Sequence, residues 1–204
     1  MEPYPDSPVF LDEPSSLRTP VLWAIAAILF VAVITGAVLL WRNTATDQKT
    51  AQFLNAAAAA PDNAARLALT KSHLSVPASA PELLALGGSF LKAGKLDQAE
   101  QAFTLFIQNF PRHPLIAGAQ LGLAQVLAAQ GKADDAIPLL QTIAASHETG
   151  AEGFQPAALL ALAELRQAKK DLPGSRQALE ELIAKYPGSA FTAPAQALLG
   201  SVAN

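Results

Sequence analysis

From Thr44 to Val202, alanine and leucine recur every three or four residues, in runs broken at glycine, proline and asparagine. Strand-like alternation of β-branched residues is missing. The pattern predicts an all-α domain, because an apolar stripe at helical spacing is what a helix buries against its neighbours. Two helices are expected over Thr44–Ala60 and Asp62–Leu74, broken by Pro61 and by the SVPASAP stretch after Leu74. Ahead of them the pattern changes character. Val21 to Trp41 reads VLWAIAAILFVAVITGAVLLW, 21 residues with no charge and no proline, long enough as a helix to cover roughly 31 Å and cross a bilayer core.

The expected transmembrane helix carries the protein's two tryptophans, Trp23 and Trp41, near its ends, with Arg18 and Arg42 outside them, as indole and guanidinium groups prefer at a headgroup boundary. A cleaved secretory signal would have a shorter apolar run, a basic leader and small residues at its exit. Here the leader is acidic and Leu39, Leu40 and Trp41 occupy the exit, so the segment reads as an uncleaved anchor. Flanking charge does not fix the orientation. Inside the anchor, Ala32 and Gly36 form a small-xxx-small pair of the kind that lets helices pack closely. Residues 1–20 hold five prolines and four acids and read as a disordered acidic tail.

Within the helical region one unit recurs. The stretch Leu84–Pro111 returns as Leu121–Glu148, 37 residues on, and again as Leu160–Pro187, 39 further. Each copy is an apolar helix, a short polar turn and a second apolar helix. These copies resemble the tetratricopeptide repeat (TPR). In the first, Leu83, Leu86, Gly87, Phe90, Gly94, Ala99, Phe103 and Pro111 fall on the family's positions; in the second, Leu123, Ala124, Leu127, Gly131, Ala136, Leu140 and Ile143 do. The third keeps Leu159, Leu162, Ala163, Leu179, Leu182 and Pro187 but sets Arg166, Lys170 and Ser175 where a large apolar residue, a turn glycine and a small alanine are expected. Small residues at Gly87, Ala99, Ala124 and Ala136 let helix axes cross at short range. The links FPRHPLIAGAQ and YPGSAFTAPAQ also match, so Pro114 and Ser189 are expected to begin helices and Phe191–Val202 to cap the array.

The expected fold is therefore all-α, a single N-terminal transmembrane helix followed by a TPR-like α-solenoid of helix-turn-helix repeats. Residues 1–20 form the tail, 21–41 the anchor, 42–79 linking helices that read as a candidate degenerate repeat, and 80–204 the repeats with their capping helix.

Composition narrows the chemistry. Residues 1–41 contain four acids and one base, and residues 42–204 thirteen of each, so the helical domain is neutral and lacks the basic face that nucleic acid requires. With no cysteine there is no thiol catalysis or thiolate metal site. His73, His113 and His147 are far apart and none has a ligand partner at i+4. Asp97, Asp134 and Asp135 read as helix caps, and Glu181 with Lys185 as an exposed i, i+4 pair. The glycines at 87, 88 and 94 lack the Lys-Ser/Thr of a phosphate loop, and no serine sits in a nucleophile elbow. No enzyme, cofactor, metal or small-molecule substrate is expected.

A helical-repeat array offers a concave first-helix surface to polypeptide partners. The repeat register assigns Leu84, Gly88, Leu91, Gln125, Ala128, Glu164 and Gln167 to it. They lack the cluster of basic residues that would clamp a terminal carboxylate. In layout the whole chain resembles the ancillary SecYEG translocon subunit family, bacterial inner-membrane proteins with a periplasmic TPR-like domain. That resemblance implies a single-pass scaffold in the bacterial inner membrane, with the lipid bilayer holding residues 21–41 and the repeats facing the periplasm. Its implied partners are translocon subunits, chaperones or envelope proteins. The links FPRHP and YPGSA also resemble those of the BamD and Tol-Pal coordinator families, which implies an envelope-assembly or division scaffold as the alternative. A membrane-anchored enzyme is the remaining class.

Overall fold

The computed structural model describes residues 46–147 and 150–202. The chain divides into two compact units, Met1–Lys49 and Thr50–Asn204; of the first only residues 46–49 are described, and the repeats lie in the second. The expected transmembrane segment 21–41 lies outside the described residues, among which no helix is long and apolar enough to cross a membrane. The described residues are helices, turns and links, with no strand among them. Helix α1 runs over residues 46–59. It is followed by α2 (Asn63–Ser72), α3 (Ser79–Lys92), α4 (Leu96–Asn109), α5 (Ile116–Ala129), α6 (Ala133–Ala144), α7 (Gln155–Ala168), α8 (Leu172–Lys185) and α9 (Thr192–Val202).

The pairs α3–α4, α5–α6 and α7–α8 are the three hairpins. Each helix from α2 on packs on the next in sequence, and first helices also touch one another, α3 with α5, α5 with α7 and α7 with α9. The second helices α4, α6 and α8 make no such contact with each other among the described residues. α2 packs on α3 and α4.

Two apolar clusters fill the interior. One gathers Leu67, Leu83, Leu86, Phe90, Phe103 and Phe106 from α2 to α4 with Ala119 and Val126 of α5. The other takes Leu121, Ala124 and Leu127 from the opposite side of α5 and joins them to Leu140, Ile143, Leu159, Leu162, Leu179 and Leu182. α5 is thus covered on both sides, which is why its sequence, IAGAQLGLAQVLAA, contains no charged residue. The α3–α5 contact closes around one ring: a β-carbon built on Gly87 would stand 2.6 Å from Phe103 Cε1, and one built on Gly122 would overlap the same ring. Phe103 therefore lies in a slot that two glycines from successive repeats leave open.

The three hairpin turns share one hydrogen-bond pattern. The Gly94 N–H donates to the Leu91 carbonyl and Lys95 N–H to Phe90, at 3.1 and 2.9 Å. Gly131 and Lys132 repeat this with Ala128 and Leu127, and Lys170 and Asp171 with Gln167 and Arg166. This double bond closes a helix through a left-handed residue. Gly94 and Gly131 supply φ of 69° and 77°, and Lys170 is forced to 64° where the first two repeats have glycine.

Two links also coincide. Phe110 and Tyr186 end α4 and α8 with φ −128° and −129°. His113 N–H then donates to Phe110 O and Ser189 N–H to Tyr186 O. The helices that follow begin at Ile116 and Thr192, two or three residues later than the expected Pro114 and Ser189. His113, not Pro114, is the counterpart of Ser189: its Nδ1 accepts the Leu115 N–H at 3.1 Å, as Ser189 Oγ accepts Phe191 N–H at 3.2 Å. The SVPASAP break is shorter than expected, because its last three residues, Ser79, Ala80 and Pro81, are already helical. Proline is tolerated there, where its missing N–H has no intrahelical acceptor.

Candidate functional site

Of the residues assigned to the first-helix surface, Leu84, Gly88 and Leu91 are half-buried on α3. On α5, Gln125 is exposed and Ala128 half-buried; on α7, Glu164 is exposed and Gln167 half-buried. Gly88, Gln125 and Glu164 occupy one repeat position, and Leu91, Ala128 and Gln167 another. The same period extends the first row to Ser201 on α9, and the Gln167 amide reaches Ser201 Oγ at 3.5 Å. Ser201 was not assigned to this surface from sequence, although the 37-residue period from Glu164 marks it. Gly88 differs from Gly87 beside it: a β-carbon on Gly88 would meet nothing within 4 Å.

The first helices are poor in charge. α5 and α9 have none, α3 has Glu82 and Lys92, and α7 has Glu164 and Arg166. Two of these four are engaged elsewhere. Glu82 pairs with Arg66 of α2 at 2.6 Å. Arg166 donates from Nη1 to the Gly174 carbonyl at 3.0 Å and lies 3.7 Å from Asp171. Arg166 thus holds the third hairpin turn instead of filling the apolar position that Phe90 fills in the first repeat.

Charge concentrates on the turns and second helices. Gln130 donates to Glu100 at 2.7 Å, with Lys132 3.7 Å away, and Lys169 pairs with Asp134. In both cases a residue of one hairpin turn reaches back to the second helix of the preceding repeat. Asp97, Asp134 and Asp135 do not cap: they lie in the first turns of α4 and α6, whose N-caps, Lys95 and Lys132, make no side-chain cap bond. There they face the positive end of the helix dipole. From α2 to α8 the side-chain caps are Asp62, which accepts from Ala65 N–H, and Asp171, which accepts from Gly174 N–H. Glu181 and Lys185 do pair, at 2.7 Å. That bond and the Glu181 charge hold the Lys185 ammonium above its usual range.

Other polar groups tie links together. Buried Gln155 donates to the Ser146 carbonyl and accepts the Tyr186 hydroxyl at 2.6 Å, joining the ends of α6 and α8 through the start of α7. His73 ends α2 with its ring 5.8 Å from that of Phe53. His113 stands edge-on to Phe106 at 5.4 Å. Among the described residues no three His, Asp or Glu side chains gather as a metal site would require. A cavity of about 380 Å³ lies between the α4–α5 and α6–α7 links, lined by Pro111, Ile116, Gln120, Thr142, His147 and Ala151 among others.

Two models of the tetratricopeptide repeat match residues 84–151 and 157–189. No curated protein sequence matches the chain. Among solved structures it is similar to PcrH from Pseudomonas aeruginosa, at 22% identity and a TM-score of 0.53, over 63% of this chain and 94% of that one. It is also similar to the first TPR of Spaghetti (RPAP3) bound to the HSP90 peptide SRMEEVD, at 18% identity and a TM-score of 0.50, over 61% of this chain and 90% of that one. At these identities the likeness is one of fold. With the shared turns and the ladder of first helices, the matches lead to one conclusion: residues 84–151 and 157–189 are tetratricopeptide repeats, stacked in an all-α solenoid.

Proposed function

We propose that this chain is a membrane-anchored protein–protein interaction scaffold of the bacterial cell envelope, which grips polypeptide segments on its first-helix face beside the secretion translocon and meets periplasmic chaperones or their clients there. The observation that carries the gripping role is the contact pattern. First helices touch across repeats while second helices do not, so the first helices line the inner side of the bend, and Gln125 and Glu164 on that side are exposed. A TPR structure of similar fold holds a peptide, which supports a polypeptide as the occupant. The anchoring rests on Val21–Trp41 and its flanking tryptophans. The place beside the translocon rests on the resemblance in layout.

Photo-crosslinking in intact cells tests this reading. A photoreactive residue at Gln125 or Glu164 is expected to capture translocon subunits, chaperones or exported polypeptides, and one at exposed Gln141 on α6 is not. Fractionation is expected to leave the full chain in the membrane pellet after a carbonate wash. Equal capture from Gln141, or recovery of the chain in the aqueous fraction, would overturn the reading.

A further inference from the structure

The first-helix face also specifies the charge and spacing of what it holds, an inference that rests on the scaffold role proposed for that face. Half-buried Leu84 and Leu91 flank Gly88 one turn away on either side, and a β-carbon on Gly88 would stand in open space. Bare backbone is thus open between two leucines that also pack on the first core cluster, which leaves room for an apolar side chain from a partner. Its helix context makes the glycine costly, since a residue with a side chain favours a helix interior more than glycine does. The neighbouring Gly87 has a steric reason to be glycine, the Phe103 ring; Gly88 has none among the described residues.

Two repeats on, Glu164 occupies the position equivalent to Gly88. It is exposed, and among the described residues no base pairs with it: Arg166 is committed to Gly174 and Asp171, and Lys169 to Asp134. α5 and α9, on either side of α7, bring no charge of their own. Lys92 lies in the last turn of α3, at the turn edge. Between Gly88 and the Glu164 carboxylate stands the exposed Gln125 amide, and beyond it the half-buried Gln167 amide, groups that can bond the open N–H and C=O of an extended backbone.

We infer that the occupant is an extended polypeptide segment with a large apolar side chain at Gly88 and a lysine or arginine at Glu164. Helices packed 8–10 Å apart put two repeats at roughly 20 Å, so the two side chains are about six extended residues apart. A segment with an acid at the second position meets Glu164 with like charge and is rejected. An acidic peptide such as SRMEEVD is likewise a poor ligand.

The test uses the full chain in mild detergent and three fluorescent probes read by anisotropy. The first is a peptide of about twelve residues, built of serine, glutamine and alanine, with phenylalanine and arginine about six residues apart. The second replaces that arginine by aspartate, and the third is SRMEEVD. The arginine peptide is expected to bind at least about tenfold more tightly than either of the others, and added salt to narrow the gap. Glu164→Gln is expected to bring the arginine and aspartate peptides to equal affinity. Gly88→Leu is expected to weaken the arginine peptide about tenfold while raising the melting temperature by about 2–4 °C. Equal binding of the two peptides by the natural chain, a ratio unchanged in Glu164→Gln, or a lowered melting temperature in Gly88→Leu would overturn the inference. If photo-crosslinks from Gln125 still capture polypeptides, that failure leaves the scaffold reading standing; if they capture none, the reading falls with it.

Discussion

The first and third repeats reach the same hairpin by different chemistry. In the first, Phe90 fills the interior, Gly94 turns the chain, Ala99 lies at the crossing, and Phe103 fits against Gly87. In the third, Arg166 grips the Gly174 carbonyl, Lys170 accepts a left-handed backbone at φ 64°, and Ser175 donates from its buried hydroxyl to the Ala163 carbonyl at 2.8 Å. Shape complementarity has been exchanged for a few hydrogen bonds and some backbone strain, and the turn bonds are the same. Such a hairpin is defined first by its backbone closure and only then by any one side chain.

The sharpest way to break the comparison is at the Phe103 slot. Gly87→Leu or Gly122→Leu is expected to destabilise the chain by about 3 kcal/mol in urea unfolding, whereas the combination Gly87→Ala with Phe103→Leu, which copies Ala163 and Leu179, should cost less than the sum of its single changes. A smaller loss is expected from Asp171→Ala, which removes both the cap on Gly174 N–H and a partner of Arg166; about 1 kcal/mol by the same measurement is the expected cost. Lys170→Gly runs the other way. It should relieve the left-handed strain and stabilise the third repeat by about 1 kcal/mol, and a loss of stability would show that Lys170 contributes something its backbone does not.

Ser175→Ala, which restores the residue of the first repeat, is expected to cost about 0.5 kcal/mol or less, because the lost hydrogen bond is partly offset by better helix propensity. Last comes the Glu181–Lys185 pair. Glu181→Gln should leave the melting temperature at neutral pH within about a degree, since both side chains face solvent. Lys185 is held above its usual range, so whatever the pair contributes is complete below that range and fades as alkaline pH removes its proton.

The hairpins were legible in the sequence because each signal they depend on is local: an apolar stripe at helical spacing, a glycine at the turn, small residues at the crossing. Even the misfit residues were visible as misfits. What replaced them was not, because Arg166 and Ser175 find partners 8 and 12 residues away. Gly122 went unread for a similar reason: its neighbour is a ring in the preceding repeat, and nothing near position 122 announces it. The aspartates were misassigned because cap and first-turn positions lie only a residue or two apart, a distinction settled by backbone angles. Of the candidate site, period alone supplied the positions. The open space at Gly88 and the diversion of Arg166 from the face needed three-dimensional neighbours.

The ring of Phe103 has a consequence for how this protein can be rebuilt. Repeat proteins invite cutting and splicing at their periods, as if each hairpin were a brick. Here the mortar between the first and second bricks belongs to both, for the first supplies the ring and Gly87, and the second supplies Gly122. A chimaera that duplicates the first hairpin, or sets the third beside it, inherits a protruding aromatic with no hollow to receive it. Transplants at this seam will succeed only when all three positions travel together.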